Sequence, residues 1–181
     1  MTSKIIMSGF GGQGIMAIGQ LVTYAGMVED KEVSWLPSYG PEMRGGSANC
    51  SVILSNEPVG APTISVATDV IVMNQPSMEK FESHVAPGGH LFINSSLITS
   101  EPTRDDIHVY KIPVNDIAIE LGNDKVANMV MLGAFLEVNP VVSRQAVEGA
   151  FLKVYGENKK HLLPLNQKAL DAGKEAIQKN K

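Results

Sequence analysis

A glycine-rich segment near the amino terminus is the first feature of this sequence that could do chemistry. Residues 9–14, Gly-Phe-Gly-Gly-Gln-Gly, match the pattern G-x-G-x-x-G between an apolar run at residues 4–8 and helically spaced apolar residues at 15–27. Glycines let the backbone turn sharply, and a helix that follows them directs unpaired N–H groups and partial positive charge at a phosphate. The candidate cofactor-binding residues of this segment are Gly9, Gly11, Gly12, Gln13 and Gly14.

The same glycines have a second interpretation, in which they only allow a strand, a helix and a neighbouring subunit to pack closely. A nicotinamide or flavin dinucleotide site would also need an acidic residue at the end of the second strand, about 20 residues further on. Glu32 precedes the second apolar run, and Trp35, Leu36 and Pro37 end it. The missing acid argues against independent binding of NAD or FAD, whereas phosphate binding and close packing both stay open.

A second glycine-bearing segment, residues 38–46, should lie at the carboxyl end of the second strand, on the same rim as residues 9–14. Arg44 could hold a phosphate or carboxylate through two hydrogen bonds, so it is a further candidate cofactor-binding residue. Tyr39 and Glu42 could fix the loop or meet another chain, and a simple turn closed by Glu42 and Arg44 is the alternative. Two such loops on one rim favour a binding site or an interface.

The elements that must position these loops are strands alternating with helices. Short apolar runs predict strands at residues 4–8, 33–36, 47–54, 69–74, 90–94 and 108–114. Helical spacing and capping residues predict helices at residues 15–27, 77–84, 115–122, 125–138, 143–155 and 165–179. This order predicts an α/β fold, with a Rossmann-like, doubly wound and mostly parallel sheet of about five or six strands. We expect one domain over residues 1–181.

Three local signals refine these elements. Ser77 should cap the second helix, and Pro-Gly-Gly at residues 87–89 should separate that helix from the strand at 90–94. Nearly every position from 125 to 138 is apolar, so a helix there has no polar side for solvent. We therefore expect this helix to be covered on more than one side.

The composition argues against several functional classes. Cys50 is the only cysteine, so the chain can form neither an internal disulfide nor a cluster held by several of its own thiolates. The net charge of −4, with dispersed basic residues, argues against nucleic acid as a partner. No segment approaches the ~20 apolar residues of a membrane span, and the first apolar run is too short for a signal peptide. We therefore expect a cytoplasmic protein without membrane contacts.

No pattern in the sequence predicts catalytic residues or a metal site in this chain. No Ser/His/Asp arrangement and no paired carboxylates are evident, and Cys50 should pack as a small hydrophobic residue. The dispersed histidines, without metal-ligand spacing, are His84, His90, His108 and His161.

The two glycine-bearing segments in this order, followed by Ser-Ala-Asn-Cys-Ser-Val at residues 47–52, closely resemble the gamma subunits of 2-oxoacid:ferredoxin oxidoreductases. The resemblance extends to Lys-Val-Ala-Asn-Met-Val-Met-Leu-Gly-Ala at residues 125–134. It implies coenzyme A-dependent oxidative decarboxylation of a 2-oxoacid to acyl-CoA, CO2 and reduced ferredoxin. Thiamine diphosphate, Mg and [4Fe-4S] clusters would belong to partner chains, namely alpha and beta subunits and a ferredoxin-like cluster subunit, and this chain would bind no cofactor alone.

The resemblance also implies where the chain meets its partners. The glycine loops and the apolar helix at 125–138 would contact the larger subunits, and the rim that carries residues 11–14 and Arg44 would face coenzyme A, the co-substrate. Two alternatives stay open, the short subunit of indolepyruvate ferredoxin oxidoreductase, which shares the first loop, and a stand-alone nucleotide-binding module. The 2-oxoacid could be pyruvate, 2-oxoglutarate or a branched-chain acid.

Overall fold

A computed structural model describes residues 1–38 and 47–180 of the chain, in which strands and helices alternate. The strands are β1 (Thr2–Phe10), β2 (Glu32–Ser38), β3 (Ser47–Ser55), β4 (Ala67–Val72), β5 (Val85–Asn94) and β6 (His108–Ile112). The helices are α1 (Ile15–Val28), α2 (Gln75–Phe81), α3 (Val114–Glu120), α4 (Ala127–Val138), α5 (Arg144–Tyr155) and α6 (Leu163–Lys179).

The strands form one sheet in the order β2-β3-β1-β4-β5-β6. β1, β4, β5 and β6 pair in parallel, which confirms the predicted α/β fold with a mostly parallel sheet. β3 is antiparallel to both β1 and β2. Residues 39–46 join β2 to its neighbour β3, and so short a connection gives an antiparallel pair because a parallel pair needs a crossover of a dozen or more residues.

Two predicted boundaries around α2 are wrong. The cap of α2 is Asn74, whose Oδ1 accepts a hydrogen bond from the backbone N–H of Ser77 at 3.0 Å, so Ser77 lies inside the helix. Residues 87–89 lie within β5 and do not precede it. The glycines fit there because Gly88 takes a φ of 79° and the pairing of β4 with β5 shifts its register at this level.

Helices leave the centre of the sheet on opposite faces. β1 leads to β2 on one side and β4 leads to β5 on the other, and right-handed crossovers in opposite directions place α1 and α2 on opposite faces. Ile5 and Met7 of β1 join the larger core beneath α1, whereas Ile6 joins the smaller core beneath α2. The carboxyl ends of β1 and β4 therefore flank the crevice where open α/β sheets bind ligands.

The apolar helix α4 is covered by the chain itself. Residues 127–135 are all buried, which confirms that the helix needs cover on more than one side. α6 packs against it at Gly133 and Gly173, where a Cβ would meet backbone atoms of the opposite helix. The buried residues 127–135 are therefore not available to larger subunits, and contact through the partly exposed end of the helix, residues 136–138, stays a prediction. Within the described ranges, no helix is long and apolar enough to cross a membrane.

Candidate functional site

The glycine-rich loop lies at the carboxyl end of β1, between β3 and β4 in the sheet order, and leads into α1. Gly12 and Gly14 have φ angles of 90° and 75°, in the left-handed region that favours glycine. Gly14 is the N-cap of α1 and has no side chain to bond the first-turn N–H groups, and no acidic residue occupies that turn. The start of α1 thus presents partial positive charge at the rim.

A cavity of about 380 Å³ opens between this loop, the start of α1 and β3. Its described lining is Phe10, Gly11, Gly12, Gly14, Ile15, Met16, Ala17 and Ala48. None of these residues is charged. Gly11 and Gly12 at the tip of the loop are exposed, and no heavy atom of residues 1–38 and 47–180 lies within 4 Å of where a Cβ would stand on either residue. The tip can therefore accept a ligand or a side chain of another subunit without a clash inside this chain.

Gln13 connects the loop to the end of β4. Its Oε1 accepts a hydrogen bond from the backbone N–H of Phe10 at 2.5 Å, and its Nε2 donates to the carbonyl oxygen of Met73 at 3.4 Å. Gly9 allows this arrangement, because a Cβ there would meet both Gln13 and Met73. Both ends of the Gln13 amide are therefore bonded inside the chain, and its contact with a ligand stays a prediction.

Asn128 supports the loop from α4, a role that no sequence pattern assigns to it. Its Nδ2 lies 3.2 Å from the carbonyl oxygen of Gly14 and 3.1 Å from the hydroxyl of Tyr155. A Cβ on Gly14 would overlap the Asn128 amide. The signal in the sequence is a single amide within an apolar run, in residues 125–134, to which the family resemblance extends.

A network of neutral polar side chains follows at the carboxyl ends of β4 and β5. The Nδ2 of Asn94 donates to the carbonyl oxygen of Met73 at 3.0 Å and to the Oδ1 of Asn115 at 2.6 Å. The buried hydroxyls of Ser8 in β1 and Ser77 in α2 lie 2.7 Å apart. This network shares Met73 with Gln13, so the glycine loop and the two strand ends form one hydrogen-bonded rim.

The two strands that flank the second glycine-bearing segment have the ends next to that segment at the same edge of the sheet as the glycine loop. Ser38 at the end of β2 pairs with Asn49, and Ser47 at the start of β3 pairs with Phe10. Arg44, Tyr39 and Glu42 lie outside the described residues. The role of Arg44 in binding an anion therefore stays a prediction.

Cys50 and His90 are both held by contacts inside the chain. The Cys50 side chain is fully buried, and burial raises the pKa of its thiol from 9.0 to about 12. This confirms that Cys50 packs as a core residue.

His90 bonds the fully buried carboxylate of Asp69 at 3.0 Å. Asn139 at the end of α4 bonds both oxygens of the same carboxylate, so this cluster joins α4 to the sheet. Within the described residues, no group of three or more His, Cys, Asp or Glu side chains could hold a metal ion.

The sequence matches a known protein family over most of its length. A family model described as pyruvate ferredoxin/flavodoxin oxidoreductase matches residues 4–176. The chain belongs to the pyruvate ferredoxin/flavodoxin oxidoreductase family. The matched residues include the glycine loop, Arg44 and Asn128. The site described above therefore lies within the part of the chain that the family model covers.

Two curated relatives of the chain are named as enzyme subunits. The chain is 33% identical over 172 residues to the 2-oxoglutarate synthase subunit KorC of Methanocaldococcus jannaschii, covering 92% of each protein. It is 31% identical over 177 residues to the ketoisovalerate oxidoreductase subunit VorA of Methanothermobacter thermautotrophicus. That match covers 98% of this chain but only 37% of VorA. The chain thus spans about two fifths of one relative and nearly all of the other.

Solved structures of this family have the same fold. The keto/oxoacid ferredoxin oxidoreductase gamma subunit of Geobacter sulfurreducens matches with a TM-score of 0.84 and 30% identity, covering 98% of this chain and 99% of that one. The resemblance to gamma subunits is therefore confirmed. A 2-oxoglutarate:ferredoxin oxidoreductase from Magnetococcus marinus, solved with 2-oxoglutarate, coenzyme A and succinyl-CoA bound, matches with a TM-score of 0.87 over 31% of its chain. At 24% identity, this second likeness shows the fold alone.

Proposed function

We propose that this chain is the gamma subunit of a multi-subunit 2-oxoacid:ferredoxin oxidoreductase. The assembled enzyme would convert a 2-oxoacid and coenzyme A to acyl-CoA and CO2 and reduce ferredoxin. The observation that carries the proposal is the end-to-end likeness to KorC and to the Geobacter gamma subunit, both of which are separate chains of nearly the same length. The alternative of an indolepyruvate oxidoreductase subunit has no comparable support, and neither has a stand-alone nucleotide-binding module.

The cofactors of such an enzyme do not fit the donor groups of this chain. A [4Fe-4S] cluster needs several thiolates, and the chain offers only Cys50, which is buried and has a pKa of about 12. Thiamine diphosphate is held through Mg, which prefers carboxylate and other oxygen ligands, and the described lining of the loop cavity has no carboxylate. We therefore assign both cofactors to alpha, beta and ferredoxin-like partner subunits, in the cytoplasm.

The contribution of this chain is a contact surface at the rim of its sheet. The turn at this rim opens to solvent at its tip, next to the positive end of α1. It is formed by Gly11, Gly12, Gln13 and Gly14, with Gly9 behind them. We assign this rim, together with Arg44, to the shared active centre, where it would contact a partner subunit and the phosphates of coenzyme A. The described lining of the cavity has no acidic side chain that would repel a phosphate, which suits an anionic ligand.

Co-expression with candidate thiamine and cluster subunits tests the proposal directly. The complex is purified with and without this chain, and 2-oxoacid-dependent reduction of a viologen dye is measured. We expect activity only with the chain present, and a panel of 2-oxoglutarate, 2-ketoisovalerate and pyruvate identifies the substrate. Equal activity of complexes that lack the chain would overturn the proposal.

A further inference from the structure

Asn128 supports the glycine loop from inside the chain, and we infer that it is a positioning residue for the contact which the loop makes in the assembled enzyme. The inference deepens the proposed function and rests on it, because the residue acts only through that loop. Asn128 itself is buried, with 3% of its surface exposed, so it cannot touch a ligand or another subunit.

The hydrogen bonds of Asn128 explain why this position needs an amide. Its Nδ2 donates to the carbonyl oxygen of Gly14 at 3.2 Å and lies 3.1 Å from the hydroxyl of Tyr155. Its Oδ1 accepts from the backbone N–H of Met129 at 2.9 Å. One buried group thus provides two N–H donors in a fixed plane and one acceptor, which no other side chain of this size offers.

The carbonyl of Gly14 is the point at which α1 begins. It also accepts the first hydrogen bond of the helix, from the backbone N–H of Ile18 at 3.2 Å. The Asn128 amide occupies the place of a Gly14 Cβ, so the loop cannot move towards α4, and the hydrogen bond opposes movement away from it. The direction of the positive end of α1 is therefore set by Asn128.

Tyr155 holds the Asn128 amide in turn. Its ring stacks on Phe151 with centroids 4.6 Å apart, and Phe151 is buried in the larger core. On the opposite side, Gln13 bonds the loop to Met73 at the end of β4. The loop is thus fixed from the sheet and from the helices, which leaves its tip at Gly11 as the part available for contact.

The test uses the co-expressed complex with three variants of this chain. Asn128→Ala removes both donors, and Tyr155→Phe removes only the hydroxyl that holds the amide. Asn166→Ala is the matched control, because Asn166 is also buried and donates to a backbone carbonyl, that of Leu162 at 2.8 Å, but lies in α6. The readouts are KM for coenzyme A, kcat, assembly with the partner subunits and the thermal midpoint of the chain.

We expect Asn128→Ala to raise KM for coenzyme A by about fivefold, with kcat within about twofold, since loss of the hydrogen bond to Gly14 reorients the loop without touching the chemistry. Tyr155→Phe should raise KM by a smaller factor and carries the test if Asn128→Ala does not assemble. Asn166→Ala should lower the thermal midpoint and leave KM unchanged. A KM shift of equal size in Asn166→Ala would mean that lost stability alone is responsible, and would overturn the inference.

A substitution at the loop tip separates failure of this inference from failure of the proposed function. If Gly11→Asp changes KM for coenzyme A or assembly, while Asn128→Ala and Tyr155→Phe leave both unchanged, the loop makes a contact but Asn128 does not position it. If Gly11→Asp changes nothing, the loop has no contact role, and both the contact proposal and the inference fail.

Discussion

Gly133 of α4 and Gly173 of α6 each lie against the backbone of the opposite helix. A Cβ on Gly133 would meet the carbonyl oxygen of Leu170, and a Cβ on Gly173 would meet the carbonyl oxygen of Val130. The arrangement is reciprocal, since each contact falls three residues before the other glycine. α6 can therefore cover the apolar surface of α4 at this crossing from within the chain.

Adding a methyl group at this crossing should destabilise the chain. Gly133→Ala forces the helices apart, and we expect it to lower the free energy of unfolding by roughly 1–3 kcal/mol, as for other overpacked cores. Gly149→Ala is the matched control, because Gly149 is exposed in α5 with open space around it, and it should raise the free energy of unfolding by up to about 1 kcal/mol. Urea denaturation followed by circular dichroism measures both; effects of the same sign would contradict the helix packing described above.

The loop itself offers a second pair of glycine substitutions. Gly14 has a φ of 75° and its Cβ position is filled by Asn128, so Gly14→Ala combines backbone strain of roughly 1–2 kcal/mol with a clash. The Cβ of Gly11→Ala meets no described atom within 4 Å, so this variant should leave the urea midpoint nearly unchanged. The close fit of Asn128 to Gly14 would be refuted by equal midpoints for the two variants.

Charge at the loop tip tests contact with an anionic ligand. Gly11→Asp and Gly11→Asn add side chains of almost the same size, and neither Cβ meets an atom of the described part of the chain. If the tip contacts the phosphates of coenzyme A, the aspartate should raise KM for coenzyme A about tenfold relative to the asparagine, because a like charge costs on the order of 1 kcal/mol at such a site. Identical KM values in the purified complex would exclude a phosphate next to Gly11.

Substitutions of Arg44 test whether this residue of the proposed rim contacts coenzyme A or a partner subunit. Arg44→Ala should raise KM for coenzyme A in the assembled complex, because a guanidinium that bonds a phosphate through two hydrogen bonds is lost. Arg44→Glu should reduce co-purification with the partner subunits, while circular dichroism of the isolated chain is unchanged. Normal KM for the alanine variant would remove Arg44 from the ligand site, and normal co-purification of the glutamate variant would remove it from the interface.

The buried thiol of Cys50 should make stability fall at alkaline pH. Burial raises its pKa from 9.0 to about 12 in the folded chain, so the protonated thiol stabilises the fold fully below pH 9, and this contribution is lost as the pH rises towards 12. In that window the wild type should lose up to about 1.4 kcal/mol more per pH unit than Cys50→Ala. Urea midpoints between pH 8 and 10.5 measure the difference; parallel curves would mean that the thiol titrates normally.

Local patterns were sufficient to predict the strands, the helices and the glycine loop between β1 and α1, because each depends on neighbouring residues. Long-range contacts were not predictable in the same way. Gln13 bonds Met73 across 60 positions, and Asn128 bonds Gly14 across 114, so neither partner is visible in a local window. The apolar residues of α4 indicated burial but not which element covers them.

The support of Gly14 by Asn128 also changes how α1 should move. Helix ends normally fray, and their amide hydrogens exchange quickly with solvent. In α1 the amide of Ile18 is bonded to a carbonyl that a fully packed helix holds in place, whereas Met27 and Val28 at the other end are 54% and 66% exposed. Opening of α1 should therefore start at its carboxyl end, and the amide of Ile18 beside the loop should exchange its hydrogen as slowly as the core.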